Sequence, residues 1–126
     1  MKNIIITIIT VATLFLASCE EEGVVCTTEF ATVNLEVVGD SLTDYFTIRL
    51  ITNDTIRSQE TPYKINNGNY IYVVLTDGMR KELEGKKEPF VFKGEIDGET
   101  VISEEYTISA NECHIGKDSG KDKVEL

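Results

Sequence analysis

Few side chains in this chain carry reactive chemistry. Among its 126 residues are three cysteines, Cys19, Cys26 and Cys113, and a single histidine, His114, directly after the third cysteine. A thiolate can act as nucleophile or metal ligand, and an imidazole can move a proton or hold a metal. A structural zinc needs convergent ligands, whereas neighbours on a strand point to opposite faces. A Cys26/Cys113/His114 metal site is therefore not expected, and His114 reads as a structural or surface residue. No serine lies in a Gly-x-Ser-x-Gly elbow and no glycine-rich phosphate loop is present. Nor does any nucleophile have a histidine base at motif spacing. Asp40/Asp44 and Asp118/Asp122 could offer calcium ligands but lack the alternating spacing of a loop site, so they read as solvated charges. Glu104-Glu105 would need a cleft to work as a glycosidase pair. Tyr45, Tyr63, Tyr70, Tyr72 and Tyr106 could stack on sugar rings if exposed; with no tryptophan present, core or strand-face packing is the plainer reading. The expectation is a protein that is not an enzyme and holds no metal or cofactor.

Cys19 is a different case. Lys2 is followed by an apolar run from Ile4 to Ala17, then Leu16-Ala17-Ser18-Cys19 and Glu20-Glu21-Glu22. A positive start, a short apolar segment and a small-residue cleavage site form the layout of an export signal. Fourteen helical residues would reach only about 21 Å, short of the roughly 30 Å hydrocarbon core, so a spanning helix is not expected. The Leu-Ala-Ser-Cys ending resembles the lipobox of bacterial lipoprotein signals, which implies cleavage after residue 18 and acyl chains on Cys19. The alternative is an ordinary cleaved signal that ends near a thiol. The three glutamates that follow resemble the surface-export tag of Bacteroidota lipoproteins, which implies an outer-membrane protein facing the cell exterior; a plain solvated tether is the other reading.

The organisation follows as 1–18 signal, 19–23 lipidated acidic tether and 24–126 a single domain. Only Lys2 is charged in the signal, so the remaining 108 residues carry a net charge of −11. That surface repels nucleic acid and anionic lipid and favours cationic partners. Contact with the membrane should come from the lipid on Cys19 alone. Once Cys19 is set aside, Cys26 and Cys113 form an even pair in an exported chain, and a disulfide between them is expected. Closing that loop would stabilise the fold by roughly 4–5 kcal/mol in the loop-entropy description. Two buried reduced thiols are the alternative.

The pattern between these residues is strand-like throughout. Val24 to Val38 alternates, with Ala31, Val33, Leu35 and Val37 on one face. Tyr45 to Ile51 alternates again, with Phe46, Ile48 and Leu50 expected inward and Tyr45, Thr47 and Arg49 outward. Ile56 to Ser58 suits a short edge strand. Tyr70 to Leu75 is apolar and β-branched enough for a strand covered on both faces. One weak helical turn, capped by Asp77, is expected through Leu83 and closed by Gly85. Asp97-Gly98 marks a hairpin between Glu88–Ile96 and Glu99–Ala110. Keeping Phe90 and Phe92 on the same side as Ile102, Tyr106 and Ile108 demands even-with-even pairing, and a three-residue connection with a Gly98 bulge would supply it. Cys113 to Ile115 reads as a strand, Gly116 to Lys121 as a loop and Lys123 to Leu126 as a last strand. About seven strands with turns every 8–12 residues predict an all-β fold, an antiparallel β-sandwich.

Residues 26–126 also resemble small Bacteroidota lipoproteins with a carboxypeptidase regulatory-like, transthyretin-like domain. The resemblance rests on Cys26-Thr27-Thr28-Glu29-Phe30, Phe46-Thr47-Ile48-Arg49, Gly94-Glu95-Ile96-Asp97-Gly98-Glu99, Glu104 to Ala110, Cys113-His114-Ile115 and the Val124-Glu125-Leu126 ending. It implies an immunoglobulin-like or prealbumin-like sandwich without chemistry of its own. Transthyretin-fold hydrolases need several histidines and a Tyr-Arg-Gly-Ser ending, which this chain lacks. Asp40-Ser41-Leu42 and Asp54-Thr55-Ile56 match the Asp-Ser/Thr-apolar sequon for O-glycosylation of exported Bacteroidota proteins. Ser41 and Thr55 are thus candidate modification sites in expected loops, unless they are simply turn residues. The function expected is a binding, adhesion or accessory module for an unidentified protein or glycan. The alternatives are a glycan-binding accessory lipoprotein of an outer-membrane uptake system, a small enzyme with a polar cleft, and strand-swapped or edge-paired assembly with a partner through open sheet edges.

Overall fold

The computed structural model describes residues 23–126; the signal, Cys19 and the three glutamates after it lie outside the described residues. Nine strands form: β1 (Thr32–Val38), β2 (Asp44–Arg49), β3 (Asp54–Ile56), β4 (Tyr63–Lys64), β5 (Tyr70–Thr76), β6 (Lys87–Ile96), β7 (Glu99–Ala110), β8 (Ile115–Ser119) and β9 (Lys123–Glu125). A 3₁₀ turn at Asp77–Met79 and one helical turn, α1 (Arg80–Leu83), interrupt them. One sheet has the order β4-β5-β1-β9 and the other β3-β2-β6-β7-β8. The sandwich expected from the alternation is therefore present, with two more strands than anticipated. Its strands are antiparallel except β9, which runs parallel to β1.

The core lies between the sheets. Leu35, Val37, Tyr72, Leu75, Leu83, Phe90, Phe92, Tyr106 and Ile108 are fully buried there. Each large apolar side chain removed from water is worth about 1.5–3 kcal/mol. In β5, Val33 faces Leu75 and Asn34 faces Val73, so Val74 is an extra residue in a bulge. The bulge lets Val74 and Leu75 both turn inward, while Ile71 and Val73 stay half-exposed. The run is thus buried on one face, not on both.

The central hairpin has the expected faces but a different turn. Ile96 pairs directly with Glu99, and Asp97 (φ 50°) and Gly98 (φ 82°) form a two-residue turn of the type that matches strand twist. The extra residue comes later, where Glu95 pairs with Thr100 and Gly94 with Ile102. From there Phe92 faces Glu104 and Phe90 faces Tyr106, the even-with-even register the core requires.

Other expectations are corrected. Residues 24–31 are not strand, and Val24, Val25 and Phe30 are exposed. The faces of β2 are reversed: Thr47 and Arg49 are buried and Tyr45 packs on the core, while Leu50 is exposed. The reason is polar pairing inside. Thr47 Oγ1 donates to the Val74 carbonyl at 2.6 Å, and Arg49 meets Glu88 of β6. On the outer face Arg57 stacks over the Phe46 ring at 5.1 Å. Cys113 and His114 occupy a turn held by Asn111, whose Oδ1 accepts from both backbone amides; the strand starts only at Ile115 and fills most of the expected loop. The edge strand near Ile56 begins at Asp54, so Thr55 sits in an exposed edge strand instead of a loop. Ser41 is exposed in a loop, as read from the sequence.

Candidate functional site

The densest polar arrangement gathers where the chain enters the sandwich. Cys26 and Cys113 form a disulfide, with Cα atoms 5.2 Å apart, across a sequence separation of 87. Their sulfurs are thereby withdrawn from any metal. Just beyond, the Thr27 hydroxyl shares a 2.7 Å hydrogen bond with His114 Nε2, and His114 Nδ1 lies 2.7 Å from Asp77 Oδ2. Asp77 also accepts from the backbone amides of Ala31 (2.7 Å) and Ile115 (2.8 Å), and its own amide donates to the Ala31 carbonyl (3.0 Å). Burial pushes the Asp77 carboxyl up, but the donors Ala31, His114 and Ile115 outweigh it and leave it below its ordinary value. The cap at this turn is Thr76, which accepts from the Gly78 amide and leaves Asp77 for the cross-link.

A hydroxyl, an imidazole and a carboxylate in series can activate a nucleophile for acyl transfer. Here the carboxylate is saturated by backbone donors from two distant segments, and none of the clefts described below borders Thr27. What the series does physically is join residues 27 and 31 to β5 and to the turn before β8. Beside it, Arg49 forms a bidentate pair with Glu88 (2.7 and 2.9 Å) and reaches Glu82 of α1 at 2.8 Å. Arg49, against the cost of burial, holds the Glu88 carboxyl below its usual range.

No family model matches the chain, and no curated protein or solved structure does. The site must therefore be read from its own geometry.

The other sequence candidates are dispersed. Tyr72 and Tyr106 are buried, and Tyr45 packs edge-on against Tyr72 at 4.9 Å, so these rings build core. Tyr63, 55 % exposed, is the one exposed residue of the five, and Tyr70 is half-covered. Asp44 is engaged by Arg57 at 2.7 Å, Asp122 by Lys117, and Asp118 lies 3.8 Å from Lys87. Glu104 is half-buried and meets Lys121 at 3.1 Å, while Glu105 is exposed. Among the described residues no group of three or more His, Cys, Asp or Glu side chains is arranged to hold a metal. Cys19 lies outside the described residues.

Three clefts stand out among the described residues, one of them, of about 230 Å³, between Thr32–Asn34 of β1 and Ile115–Lys117 of β8. A small apolar notch of about 190 Å³ lies among Phe30, Ile56, Val74, Leu75 and Met79. A larger polar groove of about 420 Å³ runs between Val101–Glu104 of β7 and Lys121–Leu126 around β9. Sequence reading missed the Asp77 cross-link, the Arg49–Glu88 pair and this groove. Asp77 and Arg49 were visible only as a cap and as a surface charge, because their partners lie 37 to 46 and 33 to 39 residues away.

Proposed function

We propose that this protein is a non-catalytic surface module: a rigid β-sandwich held at the outer membrane through acyl chains on Cys19, presenting its far end and flanks to a partner. The observation that carries the reading is the fastening of the chain's entry. Seven residues after Cys19, the Cys26–Cys113 disulfide and the Thr27–His114–Asp77 series tie the lead to the body. A pull on the tether is thereby transmitted to both sheets and not to one frayed strand. Seven residues span at most about 25 Å, so the entry end stays near the head groups. By the strand register, that end also carries α1, the Leu50–Asn53 turn and the turn at Cys113. The Gly39–Thr43 loop and the Asp97-Gly98 turn lie at the opposite end.

The charge supports the same reading, since a net −11 body is not drawn to anionic lipid and needs a covalent anchor to stay there. A single exposed tyrosine gives little stacking surface, so the glycan-accessory reading is not advanced. Intact-mass spectrometry of the protein extracted from its native membrane tests the tether. A mature chain starting at acylated Cys19 is expected; an unacylated terminus contradicts it. Protease shaving of intact cells tests the orientation, with loss of the domain expected.

A further inference from the structure

We infer that the open edge of β7 is a strand-docking site for an extended, lysine- or arginine-bearing segment of another polypeptide. On one side β7 pairs with β6 along its whole length, but on the other β8 covers only Thr107–Ala110. Among the described residues, the run from Glu99 to Tyr106 has no strand on that side. A bulge at Val101 blunts its first part, which leaves Ile102–Tyr106 regular, roughly 17 Å of free backbone edge.

The cause is visible in the chain path. After β8 the backbone leaves this sheet at Gly120 (φ +129°) and continues as β9 in the other. Gly120 lies flat on Tyr106: a Cβ there would overlap the Tyr106 ring, and the Tyr106 hydroxyl donates to the Lys121 carbonyl at 2.7 Å. The crossing therefore occurs at Tyr106 and vacates the place beside Ile102–Glu105. The polar groove occupies that place, with Val124 and Ile102 at its apolar margin. Exposed edges are normally short or blunted, as β3, β4 and β9 are, with two or three residues each. β8 is also an edge, but it lies against β1. The β7 run is the exception.

Charge selects the occupant. The two lysines that line the groove are already paired, Lys121 with Glu104 and Lys123 with Glu36 at 3.7 Å, while Lys93 on the neighbouring strand donates to the Ser103 hydroxyl at 2.8 Å and keeps its charge, with no ion-pair partner among the described residues. Glu99, Glu105 and Glu125 are exposed and have no ion-pair partner among the described residues. A second copy fits poorly. Two-fold pairing of β7 with itself is antiparallel and would put the two entry ends at opposite poles, although both tethers belong to one membrane. An added strand with alternating apolar and basic residues would face the groove with one set and Glu105 with the other.

This inference rests on reading the domain as a binding module, but its test does not depend on acylation. Full chain purified in neutral detergent is titrated with a synthetic peptide of about seven residues that alternates lysine and valine. Two further peptides are N-methylated at one or the other alternate set of amides, and a fourth carries glutamate for lysine. The expected results are saturable binding, new hydrogen-exchange protection confined to Ile102–Tyr106, and a difference of at least about tenfold between the two methylated peptides, because only one set of amides faces β7. The glutamate peptide and the Glu105→Lys variant should bind several-fold more weakly. Equal binding of the two methylated peptides, protection elsewhere, or a dimer that already protects Ile102–Tyr106 without peptide would each overturn the inference. Failure of the peptide leaves the mass of the mature terminus unaffected, so the tether and the docking edge fail separately.

Discussion

The two halves of β7 are treated differently by the rest of the molecule. Its last four residues pair with β8 and lead into a turn bound by a disulfide, a histidine and a half-buried aspartate. Its first eight have, among the described residues, a neighbour on one side only. Asp77, His114 and Arg49 at the fastened end are satisfied by partners far away in sequence, which costs chain entropy and is retained where position matters. Among the described residues the side chains of the open half carry only Lys121–Glu104 and Lys93–Ser103, both near the surface, and the Tyr106 hydroxyl on the Lys121 carbonyl at its boundary. A protein pulled from one end and approached from the other side would be built this way.

The sharpest way to break the fastened end is to remove the disulfide. Cys26→Ser with Cys113→Ser should lower stability by roughly 4–5 kcal/mol in urea unfolding, less whatever structure the unfolded chain retains. Arg49→Ala comes next, because it leaves Glu88 buried and unpaired. A loss of about 3–5 kcal/mol is expected in the same assay. Arg49→Lys should recover only part of it, since an ammonium cannot match the two-oxygen contact.

Arg49 also shows where sequence reading stopped. The alternation in Tyr45–Ile51 was legible, but both faces carry large side chains. Choosing Phe46 and Ile48 as the inner set was reasonable only without the knowledge that Glu88 lies opposite and needs a cation. The position of the Asp97-Gly98 turn and the even register of Phe90, Phe92, Tyr106 and Ile108 were legible because they are local, but the two-residue turn type was not, since the extra residue that restores the register lies at Val101. Pairing of Cys26 with Cys113 was legible by elimination. The Asp77 cross-link was not, because its donors come from residues 31, 114 and 115 and exist only once both sheets are assembled. That a sheet edge stays open was legible, but not which one, because the sequence does not say that the chain changes sheets at Gly120.

That crossing can be tested. Gly120→Ala meets the Tyr106 ring as well as an unfavourable φ and should cost about 2–4 kcal/mol. Gly98→Ala, also at positive φ but with open space around it, should cost only about 1–2 kcal/mol. Equal losses would mean that the Tyr106 contact does not fix the path.

The smallest effect is a pH dependence to which the fastened end contributes. Asp77 and Glu88, with ordinary values of 3.8 and 4.5, are both held lower in the folded state. The unfolded chain therefore takes up protons first as the medium is acidified. Their contribution is complete above the ordinary values and is lost as pH falls through the depressed native ones. Urea midpoints should decline from about pH 5 downward, and Asp77→Asn should flatten part of that decline.

The contrast within β7 is tested most directly by hydrogen exchange of the full chain, read amide by amide along that strand. Protection is expected at Thr107–Ala110, with every second amide from Ile102 to Tyr106 exchanging as a solvent-open group. Uniform protection from Ile102 to Ala110 would contradict the account.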